Sequence, residues 1–83
     1  MPDRDFEVRQ LRLADRHIDR AVQIIADQQL EVGRLRLKGH DSELAERTLK
    51  AFEDSLQIMY EHRNSIIRVI EQIDRRPFRR PTR

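Results

Sequence analysis

The chain has 83 residues, of which 39% are charged and 5% aromatic, with a formal net charge of +2. A chain of this length forms one small domain at most, and the composition excludes a large globular core. Because the sequence contains no cysteine, disulfide bonds and thiolate chemistry are also excluded.

The sequence shows neither an export signal nor a membrane-spanning segment. Residues 1–5 lack the basic region and the following apolar region of a signal peptide. No apolar run approaches the roughly 20 residues that a membrane span needs. We therefore expect a soluble cytoplasmic protein without a membrane span.

The first half of the chain follows a heptad repeat, lettered a to g, with apolar residues at a and d. Steps of three and four residues reach Leu11, Ala14, Ile18, Ala21, Ile25, Gln28, Val32 and Leu35. This spacing predicts an amphipathic helix over about 3–38. Gly33 lies near its end and predicts a weak last turn, since Gly costs about 1 kcal/mol relative to Ala in a helix.

The second half repeats this pattern and predicts a second helix over about 42–74. Its a and d positions are Ala45, Leu49, Phe52, Leu56, Met59, Arg63, Ile66, Ile70 and Ile73. We term the a and d positions of both helices the core seam. Gln28 and Arg63 interrupt the seam, so we expect them to specify its register, with the Arg63 head group reaching solvent.

Residues 39–41 separate the two patterns and are predicted to be a turn. Gly39 lies where a helix C-terminus takes a left-handed residue, and Asp41 or Ser42 lies where a helix start takes a side-chain acceptor. So short a link makes the helices antiparallel. If the chain turns there, facing residues have numbers that sum to about 79, which places Ala21 near Met59.

The predicted fold class is all-α: an antiparallel, coiled-coil-like hairpin over residues 1–74 that dimerises into a four-helix bundle. Apolar side chains extend beyond the seam, with Val22, Tyr60 and Ile67 at e positions and Ile24 and Val69 at g. Because such a wide stripe suits four helices, a twofold homodimer is the simplest assembly. A higher oligomer and a different protein partner remain alternatives.

Residues 75–83 form a basic tail with five arginines and no acid, whereas residues 1–74 hold 12 basic and 15 acidic groups. We expect the tail to be disordered. The alternative is an arm that contacts an anionic partner. The residues that would make these contacts are Arg75, Arg76, Phe78, Arg79 and Arg80.

A second basic feature lies on the first helix. It is a ridge formed by Arg9, Arg12, Arg16 and Arg20. The acidic residues interleaved with it predict ion pairs between residues four apart. The ridge is therefore expected to be a solvated, internally paired surface.

No catalytic, cofactor or metal site is predicted. His17 and His62 would be level across the helices, as a metal site between facing helices requires, but the Glu-x-x-His motif of di-iron bundles is missing from the sequence. His40-Asp41 has the dipeptide of a phosphotransfer site, yet it lies at the turn. We expect no enzyme.

Part of the chain resembles a family of short, uncharacterised bacterial proteins common in rhizobium-like groups. The resemblance runs from Leu37 to Ile70, and residues 14–18 resemble the family's first helix. Its pattern reads Gly39-His40-Asp41-Ser42, Ala45, Leu49, Phe52, Ser55-Leu56, Met59 and His62-Arg63. The resemblance implies the turn, assigns no function, and does not include the tail after Asp74.

These observations favour a small, non-enzymatic interaction or regulatory module. It would act through helix–helix contacts, with an unidentified protein as partner. The alternative is a nucleic-acid-binding four-helix-bundle dimer that uses the arginine-rich tail. The two hypotheses differ in salt response, because binding driven by phosphate contacts weakens steeply as salt increases.

Overall fold

The computed structural model describes residues 3–76, and within them it contains two helices and no strand. Helix α1 spans Arg4–Leu37 and helix α2 spans Glu43–Arg75. The two helices pack against each other, so the predicted all-α helical hairpin is confirmed. Each observed boundary lies within one residue of the position that the sequence suggested.

Helix α1 begins with a capped first turn. The Asp3 carboxylate accepts a hydrogen bond from the Asp5 backbone N–H at 3.0 Å, which satisfies one of the donors left free at a helix start. The helix then continues without a break through Gly33 to Leu37. The glycine therefore does not end the helix.

The C-terminus of α1 closes in a Schellman motif. The His40 N–H donates to the Leu35 carbonyl at 2.9 Å, and the Gly39 N–H donates to the Arg36 carbonyl at 3.0 Å. Gly39 has a φ of 70°, in the left-handed region that glycine adopts without steric cost. The backbone of His40 thus has a role in the turn, while its side chain is exposed.

Asp41 and Ser42 make different hydrogen bonds at the start of α2. The Asp41 carboxylate accepts from the Glu43 N–H at 2.9 Å. Ser42 occupies the N-cap position, but its hydroxyl makes no cap bond to the backbone and donates to the Glu46 carboxylate instead. The side-chain acceptor that the helix start needs is therefore supplied by Asp41.

The core seam forms a thin core. Its buried side chains, each 4–7% exposed, are Ala14, Ile18, Ile25, Val32 and Ile66. Seven residues predicted in the core are only half-buried, namely Leu11, Leu35, Leu49, Phe52, Leu56, Met59 and Ile70. Two helices alone cover only one side of each stripe, which leaves these side chains partly open.

Both polar interruptions of the seam make contacts between the helices. The Gln28 side-chain amide donates to the Ala45 carbonyl at 3.1 Å, and the Arg63 guanidinium donates to the Asp15 carboxylate. The Arg63 side chain keeps 34% of its surface exposed, so its head group stays at the edge of the core. Each contact fixes one helix against a particular level of the other.

Two ion pairs between the helices agree on one register. The ion pairs Arg4–Asp74 and Asp15–Arg63 join residues whose numbers sum to 78. Their positions also show that the helices are antiparallel, because the start of α1 meets the end of α2. The sequence-based value of about 79 is close to this register.

Candidate interaction surface

The hairpin has two broad surfaces, one on each side of the core seam. We term them the e flank, which carries the e and b positions of both helices, and the g flank, which carries the g and c positions. The g flank of α1 consists of Phe6, Gln10, Leu13, His17, Arg20, Ile24, Asp27, Glu31 and Arg34. The g flank of α2 consists of Leu44, Thr48, Ala51, Ser55, Ile58, His62, Ser65, Val69 and Gln72.

Ion pairs between α1 and α2 lie along the e flank. Within residues 3–76, every ion pair between the two helices includes a residue at an e position. These pairs are Arg4–Asp74 at 2.7 Å, Arg36–Glu46 at 2.7 Å, and Asp15–Arg63. Four charged groups of this flank, those of Asp15, Arg36, Glu46 and Asp74, are therefore used to hold the hairpin together.

Two carboxylates on the e flank, those of Glu46 and Asp74, have pKa values below their ordinary values. The pKa of Glu46 lies below its usual value, first because the Ser42 hydroxyl donates to its carboxylate and second because of the Arg36 guanidinium. The pKa of Asp74 is lowered mainly by its hydrogen bond from Arg4. Both side chains are well exposed, so these shifts mark surface ion pairs.

The g flank of α2 carries no Asp, Glu, Lys or Arg at any of its nine positions, although α2 contains twelve such residues. Leu44 and Ile58 on this flank are 73% and 64% exposed. The hydroxyls of Thr48 and Ser65 donate to backbone carbonyls four residues earlier, at 2.9 Å and 3.1 Å. Covering this stripe would therefore leave the hydrogen bonds of these two hydroxyls in place.

The g flank of α1 adds exposed apolar surface and a cleft. Phe6 and Leu13 are 47% and 37% exposed. A shallow cleft of about 190 Å³ lies beside the seam, and its walls are almost wholly apolar. The residues that line it are His17, Arg20, Ala21, Ile24 and Met59. The small Ala21 side chain leaves this space open next to the larger Met59.

The histidines do not form a recognisable chemical centre. His17 lies at the mouth of the apolar cleft, and His62 is exposed on the g flank of α2. Among residues 3–76, no three His, Cys, Asp or Glu side chains lie close enough together to hold a metal ion. Both histidines are thus parts of the surface of the g flank.

The basic tail is only partly described. Arg75 pairs with Glu71 at 4.0 Å within the last turn of α2, and Arg76 follows the helix. Phe78, Arg79 and Arg80, the other predicted contact residues, lie outside the described part of the chain. The predicted role of the tail stays a prediction.

The arginine ridge of α1 corrects one expectation. In the part of the chain that the structure describes, none of its four arginines takes part in an ion pair. The predicted pairing is wrong because, of the four arginines, only Arg9 has an acidic residue four positions away, and that residue, Asp5, forms no ion pair with it. The ridge is an exposed cationic strip.

The charge asymmetry between the flanks was not predicted from the apolar pattern of the sequence. Extending the heptad letters to every residue of α2 would have shown it. All twelve charged residues of α2 occupy other positions, and only Arg63 lies in the seam. The c and g positions of α2 are informative because none of them holds Asp, Glu, Lys or Arg.

Comparisons of this chain with protein-family models, with curated proteins and with solved structures find no match. Between residues 3 and 76, neither helix is apolar over a long enough stretch to cross a membrane.

Proposed function

We propose that this protein is a non-enzymatic interaction module that acts through helix–helix contacts made by its g flank. One observation carries the proposal: in a chain with 39% charged residues, the g flank of α2 has no Asp, Glu, Lys or Arg over a full helix length. Charged residues are depleted at the centre of protein interfaces.

The thin core supports the same conclusion. Five hydrophobic residues are buried, and no side chain in the described range is less than 2% exposed. Four of the large apolar side chains that stay exposed lie on the g flank, and Leu44 and Ile58 are the most exposed of these four. Apolar surface that is contiguous and bounded by polar residues marks sites of association.

The two flanks also differ in availability. The e flank already uses Arg36, Glu46 and Asp74 in contacts between its own helices. The described part of the g flank contributes no ion pair between the helices, so covering it would break none of these internal contacts. A helical partner can therefore dock on the g flank without disturbing the hairpin.

The experiment is affinity capture from native cell extract with the full chain and two variants as baits. Ile58→Asp places a charge at the centre of the g flank, while Gln57→Asp adds the same charge on the opposite side of α2. We expect the unmodified chain and Gln57→Asp to retain the same protein at high salt and after nuclease treatment, and Ile58→Asp to lose it. Equal retention by all three baits would contradict the proposal.

A second candidate function is nucleic-acid binding, and the exposed arginine ridge favours it. Arg9, Arg12 and Arg16 are open to solvent and could contact phosphates together with the tail. The same capture experiment tests this function with a chain that ends at Asp74. Retention of nucleic acid alone, lost at high salt or on removal of the tail, would favour it over the first proposal.

A further inference from the structure

The g flank of α1 carries unpaired charges of opposite sign on the two sides of Ile24. Arg20 precedes Ile24 by four residues and Asp27 follows it by three, while Glu31 and Arg34 further along pair with each other at 2.7 Å. Among the charges of this flank left without an ion pair in the described chain, a cation thus precedes Ile24 and an anion follows it. A strip with this arrangement is complementary to a copy of itself that runs in the opposite direction.

Arg20 and Asp27 cannot neutralise each other within one hairpin. They lie seven residues apart, which is roughly 10 Å along a helix. Within residues 3–76, Arg20 takes part in no ion pair, and Asp27 accepts only the neutral amide of Gln23 at 3.2 Å. Neither Arg20 nor Asp27 therefore has an oppositely charged partner within the described part of the hairpin.

On α2, Ser55 lies at the middle of the g flank, at the level of Ile24 on α1. The ion pairs between the helices place Ile24 beside residue 54, next to Ser55 on the g flank. Ala51 and Ile58 lie on either side of Ser55, at four and three residues. If a second α2 crosses this point in the antiparallel direction, Ala51 of one copy lies opposite Ile58 of the other. A small side chain opposite a large one favours dense packing.

We infer that a second copy of this chain stacks antiparallel on the g flank, about a twofold axis that passes Ile24 and Ser55. Helix α1 then packs on α1 of the second copy, and α2 packs on α2. Arg20 of each copy meets Asp27 of the other, and the apolar cleft at Ala21 and Ile24 is covered. The inference rests on the proposed function, because it names the occupant of the same flank.

The area of the flank is sufficient for a stable dimer. Two helices of about 50 Å, each about 10 Å across, present roughly 1,000 Å² on one side. A specific interface of standard size buries about 800 Å² on each partner. A four-helix bundle formed in this way would also cover the half-buried residues of the core seam.

The first test uses thiol cross-linking of the full chain, which has no cysteine of its own. Ser55→Cys places a thiol at the axis, where two copies come within reach of a disulfide or a short bifunctional reagent. Ser65→Cys is the matched control on the same stripe, because its two copies would lie roughly 30 Å apart. We expect a covalent dimer with Ser55→Cys and none with Ser65→Cys, and the reverse pattern would overturn the inference.

The second test is a charge exchange read by sedimentation equilibrium. Arg20→Asp or Asp27→Arg alone brings like charges together twice in each dimer, so we expect the dimer Kd to rise about tenfold or more. The double variant restores opposite charges, and its Kd should return close to that of the unmodified chain. Arg16→Asp with Asp19→Arg makes the same exchange away from the flank and should leave the Kd unchanged.

The outcomes separate this inference from the proposed function. A monomeric chain that still captures a protein through the g flank would overturn the second copy while leaving the interaction module in place. A dimer in which the double exchange fails to restore binding would overturn the antiparallel arrangement. A dimer whose Kd is unchanged by Ile58→Asp and by Arg20→Asp or Asp27→Arg alone would refute the g flank as the surface on which the second copy stacks.

Discussion

The same substitution at the two glycines of this hairpin should change its stability in opposite directions. Gly39 has a φ of 70°, and a Cβ built there meets no atom within 4 Å. The cost of Gly39→Ala is therefore conformational and not steric. Left-handed backbone costs an L-residue about 1–2 kcal/mol, so we expect the free energy of unfolding to fall by that amount.

Gly33 presents the opposite case. It lies inside α1 with helical backbone, and a Cβ there also meets no atom within 4 Å. Alanine is favoured over glycine in a helix interior by about 1 kcal/mol, so Gly33→Ala should stabilise the hairpin by that amount. The two variants then differ from each other by about 2–3 kcal/mol.

Urea unfolding followed by helical circular dichroism measures both effects, with all proteins at one concentration because association also shifts the midpoint. In thermal unfolding each kcal/mol corresponds to about 4–8 °C for a chain of this size. An unchanged stability in Gly39→Ala would refute the left-handed turn. Destabilisation by Gly33→Ala would show that its Cβ meets another surface, which would move the interface to the e flank.

Four further predictions concern the start of α2, the ion pairs and the core. Asp41→Ala should cost about 1 kcal/mol because it removes the acceptor at the start of α2, whereas Ser42→Ala should cost less; equal losses in urea unfolding would contradict this division. Ser42→Ala should also raise the pKa of Glu46 towards its ordinary value, since the Ser42 hydroxyl is the largest cause of its shift, and an NMR titration of the carboxyl signal measures this. The folded-state pKa values of Glu46 and Asp74 lie below ordinary values of 4.5 and 3.8, so their stabilisation is present above those values and is lost as pH falls through the folded pKa values. Unfolding measured from neutral pH to below pH 4 should show this loss, and a combined Glu46→Gln and Asp74→Asn variant should lose less stability over that range. Ile25→Ala should destabilise by about 2–4 kcal/mol because Ile25 is 7% exposed in a core of five buried residues; a loss below 1 kcal/mol would show that this side chain is not packed.

The fold was predictable because it depends on signals that are local in the sequence. The a and d spacing determines which stripe of each helix is apolar, and Gly39 with Asp41 lies where one helix must end and the next begin. The burial of individual residues was less predictable. Phe52 and Met59 belong to the seam by spacing, yet they are half-buried because burial also depends on how many helices surround the stripe.

The contacts of single side chains could not be read from spacing alone. Ser42 and Asp41 are both common cap residues, and only the backbone geometry decides which oxygen faces the free N–H groups. Arg63 was expected to reach solvent, but nothing in the heptad pattern identifies Asp15 as its partner across the hairpin. Such pairings depend on register to within one residue, which the length of a turn does not fix.

The pairing of the hairpin and its wider association depend on different features of the same helices. Apolar residues at a and d determine that α1 and α2 meet, and they would do so whatever lies on the two flanks. The flanks determine what happens next: charges at e positions form ion pairs inside the hairpin, while the missing charges at c and g positions of α2 leave one side open. A copy that approached the e flank would have to desolvate those ion pairs, at a cost that their attraction rarely offsets. A copy that approaches the g flank meets an uncharged stripe on α2. On α1 of an antiparallel copy, Arg20 faces Asp27 of the first copy and Asp27 faces Arg20, so the charges of both copies are neutralised.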